Sequence, residues 1–289
     1  MKRKDFLRKS FVGSLAAGLG LSAQAEGKEE KETSKEGFDQ VGFNHIKPME
    51  TKTLTTVLHK ADTRGDANHG WLHSRHSFSF ANYYNPERMG FGALRVLNDD
   101  EVAPSMGFGT HPHSDMEIIS IPLFGDLEHK DNMGNKEVIR QGDVQVMSAG
   151  TGVYHSEYNA NKNKDVKFLQ IWVIPNKRDV SPRYDQITLK EGDSLNQFEQ
   201  ILSPYADDAG VWIHQDAWFN LGKFTEDKEI NYDIHRNGNG LYAFVLEGEA
   251  EIEGQQLERR DGFGIWDTDQ VNIKATAGSR ILLMEVPMS

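Results

Sequence analysis

The sequence predicts an all-β chain built from two similar β-sandwich or barrel domains in tandem. Three observations predict it. Convincing helical stretches are few, short apolar runs alternate with turn signals, and the pattern resumes in similar form after a polar connector that carries two prolines. The 27 glycines and 15 phenylalanines among 289 residues suit short strands joined by tight turns. A chain of this length can bury a sizeable core.

Taken in order, the N-terminus reads as an address. "MKRKDFLRKS" is a basic region, "FVGSLAAGLGL" a short apolar stretch, and Ala23-Gln24-Ala25 an A-x-A cleavage signal. The apolar stretch is shorter than the ~20 residues that span a bilayer. Arg3-Lys4-Asp5-Phe6-Leu7-Arg8 looks like a twin-arginine export signal with one arginine replaced by lysine, so twin-arginine and general secretion both remain open. Residues 1–25 are expected to be an export signal peptide and the mature protein to be periplasmic. Residues 26–52, with "EGKEEKETSKEG", are charged and poor in apolar residues, and read as a disordered tether.

The folded part is expected to begin at Thr53. "HSFSFANYY", "GALRVLNDD", "MEIISIPLFGD", "EVIRQGDVQVMSAGTG" and "KFLQIWVIP" are strand-like runs. Phe78 and Phe80 alternate with Ser77 and Ser79, and Val144 and Val146 with Gln145 and Met147, the period of antiparallel strands. "NMGN" and "RQGD" are turns. "IPNKRDVSPRYDQ", residues 174–186, is the connector and divides an N-terminal domain, 53–180, from a C-terminal one, 181–289. Beyond it "WFNLGKF", "LYAFVLEGEAEIEG", "GFGIWD", "VNIKA" and "RILLMEVP" repeat the β pattern.

Composition removes several functions. The formal charge is −12, and loss of residues 1–25, with five basic residues and one acidic, would make it −16. Binding to a phosphate backbone has no electrostatic support. No cysteine is present, which excludes disulfides, iron–sulfur clusters and thiol nucleophiles. Any metal must be held by nitrogen and oxygen.

"GTHPHSDMEI" supplies such donors. His111 and His113 stand at i and i+2 and so share one face of a strand. In "GDVQVMSAGTGVYHSEYN", His155 and Glu157 repeat the spacing, and Gly150 and Gly152 upstream permit a tight turn. Three imidazoles and one carboxylate favour first-row metals over calcium or magnesium, and four ligands on an octahedral ion leave two positions for chemistry. Glu157 could also act as a general base. The C-terminal half lacks a paired histidine motif, so that domain is expected to be metal-free, with His235 structural. His69, His73 and His76 do not share one strand face and read as structural or cleft-lining. Trp71, Trp172, Trp212, Trp218 and Trp266 are assigned to core packing.

"G-x-x-x-HPH-x-x-x-E" at Gly107–Glu117 and "G-x-G-x-x-H-x-x-x-N" at Gly150–Asn159 resemble the two motifs of the cupin superfamily. "HPHSDMEI", "MSAGTGVYHSEYN", "HSFSFANYY" and "SPRYDQ" resemble the pirin branch, in particular its bacterial quercetinase-like members. The resemblance runs from about Thr53 to the C-terminus. It implies a bicupin of two jelly-roll β-barrels with one mononuclear metal in the N-terminal domain. The ligands it implies are His111, His113, His155 and Glu157, with Glu117 beside the ligand set rather than in it. Two features depart from the pattern: the export signal, and Phe124-Gly125-Asp126 in place of an apolar-Glu-Gly turn.

The resemblance implies a metal-dependent dioxygenase that opens a flavonol such as quercetin, with Glu157 assisting deprotonation and Fe(II) foremost among Fe, Mn, Co, Ni, Cu and Zn. Its partners would be a small aromatic substrate and dioxygen, with no nucleic acid and no membrane once the signal is cleaved. A monomer is expected, because two cupin domains can pair with each other. The alternatives are a non-enzymatic redox sensor or partner-binding protein, and a cupin reaction on another aromatic diol. An exported acidic protein favours the enzyme.

Overall fold

A computed structural model describes residues 54–190 and 192–289. The expected export signal and tether lie outside the described residues. Among these residues, regular structure is almost wholly strand, with one 3-10 turn at Ala61–Thr63. No helix among them is long and apolar enough to cross a membrane.

The strands of the first half are β1 (Thr55–His59), β2 (Gly65–Asn68), β3 (Leu72–His76), β4 (Leu94–Val102), β5 (Gly107–His113), β6 (Glu117–Phe124), β7 (Asp126–Asp131), β8 (Lys136–Arg140), β9 (Asp143–Ser148), β10 (Val153–Asn159), β11 (Val166–Val173) and β12 (Arg183–Thr188). Those of the second are β13 (Phe198–Ser203), β14 (Val211–Trp212), β15 (Trp218–Lys223), β16 (Lys228–Asp233), β17 (Asn239–Glu247), β18 (Ala250–Ile252), β19 (Gln255–Leu257), β20 (Gly262–Trp266), β21 (Gln270–Ala275) and β22 (Arg280–Pro287). A seven-stranded sheet, β12-β9-β6-β11-β4-β3-β2, and a four-stranded sheet, β5-β10-β7-β8, form the first barrel. The sheets β1-β20-β17-β22-β15-β13-β14 and β16-β21-β18-β19 form the second. The chain is thus all-β, two jelly-roll domains in tandem, the architecture that the cupin resemblance implies.

Period-two alternation decides where each side chain goes. On β11, Leu169, Ile171 and Val173 face the other barrel and join Phe219, Phe244 and Leu282 in one apolar cluster between the seven-stranded sheets. Phe168, Gln170 and Trp172 point the opposite way, into the first barrel. Val144 and Val146 enter the same seam. The second barrel has a continuous apolar interior that includes Phe224, Val245, Phe263 and Ile273. The interior of the first is split. Leu127, Ile139, Val166 and Phe168 fill one end, and Ile118, Met147 and Val153 the other. The candidate site lies between them.

Two segments differ from the sequence expectation. "HSFSFANYY" is a loop after His76, not a strand. Side-chain bonds replace the ladder there: Ser79 Oγ accepts from the Asn85 amide at 2.8 Å and donates to the Asn85 carbonyl at 2.9 Å. The loop still sends Phe78 into the seam and Phe80 into the first barrel. The connector is shorter than 174–186, because Arg183–Thr188 pairs with β9 as an edge strand. In the opposite sense, β1 pairs with β20 of the second barrel. Strand pairing therefore crosses the expected 180/181 division from both sides.

Candidate metal centre

β5 and β10 are antiparallel neighbours, with His155 opposite His111 and Val153 opposite His113. Along β10, Val153, His155, Glu157 and Asn159 are buried, whereas Tyr154 and Tyr158 are exposed. Register shifts between His155 and Glu157, which lies opposite Phe108. This bulge on β5 lets Phe108 and His111 both face inward. It also frees the Gly109 carbonyl to accept a 2.8 Å hydrogen bond from His111 Nδ1. Gly107 lets the strands close: a Cβ there would strike the Glu157 carbonyl and the Tyr158 backbone. Gly150, at φ 44°, makes the preceding turn, where a Cβ would strike the Val180 carbonyl.

The three imidazoles form a triangle. Ring centroids are 4.9 Å apart for His111–His113, 4.4 Å for His111–His155 and 4.9 Å for His113–His155. One nitrogen from each lies within 4.8 Å of the others. Glu157 faces the same cavity as His111 and His113. Its carboxylate accepts from Gln170 Nε2 at 3.1 Å to each oxygen and from Ser120 Oγ at 3.3 Å.

This donor set fits a divalent first-row ion. His155 Nε2 is buried without a hydrogen-bond partner, an orphan that a cation would satisfy. The bond from His111 Nδ1 to Gly109 leaves Nε2 of that ring with its lone pair. Burial, reinforced by the neighbouring imidazoles, lowers His113 to about 4 and His155 to about 3. Both imidazoles are therefore neutral at neutral pH, the form in which a histidine can bind a metal.

His129 on β7 was not singled out from the sequence. Its Nδ1 lies 3.4 Å from His155 Nδ1, and its Nε2 lies 3.1 Å from Asp131 Oδ2. The carboxylate also accepts from Asn135 Nδ2 at 2.7 Å and from the amides of Met133 and Asn135. Burial pushes Asp131 up, but these bonds from Asn135 and His129 hold it below the usual carboxylate range. An ionised carboxylate only accepts, so His129 donates from Nε2, and the neutral ring then accepts at Nδ1. His155 must then donate from Nδ1, which leaves its Nε2 lone pair facing the other imidazoles. The signal was present in "LEHKD", where His129 and Asp131 show the same i, i+2 spacing.

The centre opens into a cavity of about 590 Å³ walled by Phe80, Tyr83, Phe108 and Trp172. His76, Asn98, Asp100 and Gln170 are among its polar lining residues. Burial, with the charges of Asp99 and Glu157 added, pushes Asp100 up to about 7.

The other sequence candidates separate clearly. His69 and His76 line the cavity, whereas His73 pairs with Asp66 at 3.0 Å. Trp172 is a cavity wall rather than core packing alone, while Trp212 lies 4.0 Å beneath the Arg183 guanidinium and Trp218 stacks on His235. His235 Nδ1 bonds the fully buried Glu285 at 2.7 Å. Glu117 is buried, accepts from Ser148 Oγ at 2.7 Å and does not line the cavity. The Phe124-Gly125-Asp126 turn does not line it either.

Residues 56–173 match the family model described as Pirin, and residues 200–286 match the Quercetinase C-terminal cupin domain. The chain is 43% identical over 230 residues to a protein of Escherichia coli K12 named quercetin 2,3-dioxygenase, covering 80% of this chain and 98% of that one. A pirin-like protein of Caulobacter vibrioides is 40% identical over 225 residues, 78% of this chain and 96% of the relative. Among solved structures, the bacterial pirin YhhW of Escherichia coli in complex with nickel(II) aligns with a TM-score of 0.77 at 41% identity, over 81% of this chain and all of that one.

Proposed function

The chain belongs to the pirin family, and from that premise we propose that it is a metal-dependent dioxygenase acting on a flavonol such as quercetin. One observation carries the reading: His111, His113 and Glu157 line an aromatic-walled cavity of about 590 Å³, with His155 clustered against both histidines behind it. That volume lies within the ordinary range for a small-molecule site. The names of the relatives support the substrate class and dioxygen as co-substrate.

His111, His113, His155 and Glu157 would hold the ion. Iron(II) is our first choice, and manganese, cobalt, nickel, copper and zinc suit the same nitrogen and oxygen donors. When bound, the metal supplies Lewis-acid polarisation of a substrate oxygen and an electronic route to dioxygen. The protein does the rest. Phe80, Phe108 and Trp172 hold a flat ring system by edge and face contacts and exclude water. Gln170 and Ser120 fix the Glu157 carboxylate, so that one oxygen can accept the proton of a substrate hydroxyl.

Oxygen uptake with quercetin tests the reading, using protein loaded separately with iron, manganese, nickel, copper and zinc beside the His111→Ala and Glu157→Ala variants. We expect metal-dependent uptake that both variants abolish. Tight metal binding without uptake on any flavonol would overturn it. We further propose that the protein is exported with cleavage after Ala25; N-terminal sequencing of the protein from the cell envelope should then begin at Glu26.

A further inference from the structure

The inner face of the first seven-stranded sheet carries a polar row that no strand reveals alone. Paired residues in register share a face, and successive pairings link His76 on β3 to Asn98 on β4, Asn98 to Gln170 on β11, and Gln170 to Ser120 on β6. The adjacent row, Val96–Trp172–Ile118–Met147, is apolar apart from the indole nitrogen. Polar side chains placed this deep normally satisfy one another. These do not. His76, Asn98 and Gln170 are 3%, 2% and 8% exposed, yet His76 Nδ1, Asn98 Oδ1 and Gln170 Oε1 lack partners. Asp100, paired with Ser74 in the neighbouring row and 4% exposed, leaves Oδ1 unpartnered as well. All four residues line the cavity.

The chemistry of the orphans identifies what would satisfy them. Two amide oxygens and a carboxyl oxygen accept hydrogen bonds, so the missing groups are donors. Gln170 Nε2 is already committed to Glu157, which aims its oxygen away from the metal end. The run from Gln170 to His76 spans two strand spacings, about 10 Å. A carboxylate would bring acceptors where donors are missing. Phenolic hydroxyls bring donors without charge.

We propose that His76, Asn98 and Gln170, with Asp100 beside them, form a hydroxyl-recognition subsite that selects flat aromatics hydroxylated at positions remote from the metal. The proposal rests on the flavonol reading for the orientation of the substrate, with its chelating end at Glu157.

The test is calorimetric titration of the nickel-loaded protein under nitrogen. The probes are quercetin, 3-hydroxyflavone, which lacks the remote hydroxyls, and luteolin, which keeps them but lacks the 3-hydroxyl. Quercetin should bind at least about tenfold more tightly than 3-hydroxyflavone, because the deoxy ligand leaves buried acceptors unpaired. Asn98→Leu and His76→Phe should each cut that ratio at least threefold, and luteolin should weaken in both. Replacing orphaned polar groups by apolar ones of similar size should leave the melting temperature equal or higher, whereas a structural row would melt earlier. A wild-type ratio within twofold, a ratio that both variants leave unchanged, or binding of none of the three probes would overturn the subsite. Tight, variant-sensitive binding of quercetin and luteolin without oxygen uptake would leave the subsite standing and reject the dioxygenase.

Discussion

Asp131→Asn tests the wiring behind His155 with an isosteric change. In the variant, the amide oxygen stays with the Met133 and Asn135 backbone amides, which Oδ1 accepts at 2.9 and 3.0 Å. The new NH₂ then replaces Oδ2, the atom 3.1 Å from His129 Nε2 and 2.7 Å from Asn135 Nδ2, and the Asn135 amide turns its oxygen to meet it. His129 must accept there and carry its proton on Nδ1, where it faces His155 Nδ1 across 3.4 Å. His155 is driven in turn to protonate Nε2, the nitrogen needed for metal. Partners of this kind are worth about 10–100-fold in metal affinity, or roughly 1.4–2.8 kcal/mol. The assay is competition for nickel or zinc against a chromophoric chelator at pH 7. Imidazole ¹⁵N NMR of the metal-free protein would report the tautomer, and circular dichroism would establish that the fold is retained. Affinity within twofold of wild type, with His155 still protonated on Nδ1, would refute the relay.

Three further outcomes are expected. Burial raises Glu117 to about 7 from 4.5, so the folded state binds the extra proton between those values and stability falls as pH rises through that window. Glu117→Gln should therefore stabilise at pH 8 by at most about 3 kcal/mol, and not at pH 4, as read by urea unfolding at both. Gly107→Ala should force β5 off β10 and weaken metal binding at least tenfold in the same chelator assay, since Ala Cβ would overlap the Glu157 carbonyl. Stripping the metal should lower the melting temperature by several degrees in scanning calorimetry, because an ion held at 100 times its Kd contributes about 2.7 kcal/mol.

Much of this was legible in single strands. The i, i+2 spacing of His111 with His113 and of His155 with Glu157 identifies shared faces without any tertiary information, and Val144 and Val146 announce a buried face in the same way. What stayed hidden depends on register between strands. His129 reaches His155 only because β7 lies beside β10, with Asp131 opposite His155. The polar row needs three successive pairings. The loop after His76 misleads because Ser79 satisfies the backbone locally, which period-two spacing cannot reveal. The β1–β20 pairing joins Leu58 to Phe263, too far apart in sequence for any local pattern.

That last pairing has a consequence for the order of assembly. β1 is the first described strand to leave the ribosome, and its hydrogen-bonding neighbour is among the last. Until β20 is made, β1 has no sheet to join, and the segment just after it carries Asp66, Ala67 and Asn68 into the cavity wall. The cavity wall does not wait for the long loop from β1 to β20 to close, because β2 pairs with β3 and every lining residue falls between Asp66 and Trp172, whereas β1 itself does wait. A ribosome stalled after residue 180 would hold every proposed ligand and still lack the sheet that anchors β1.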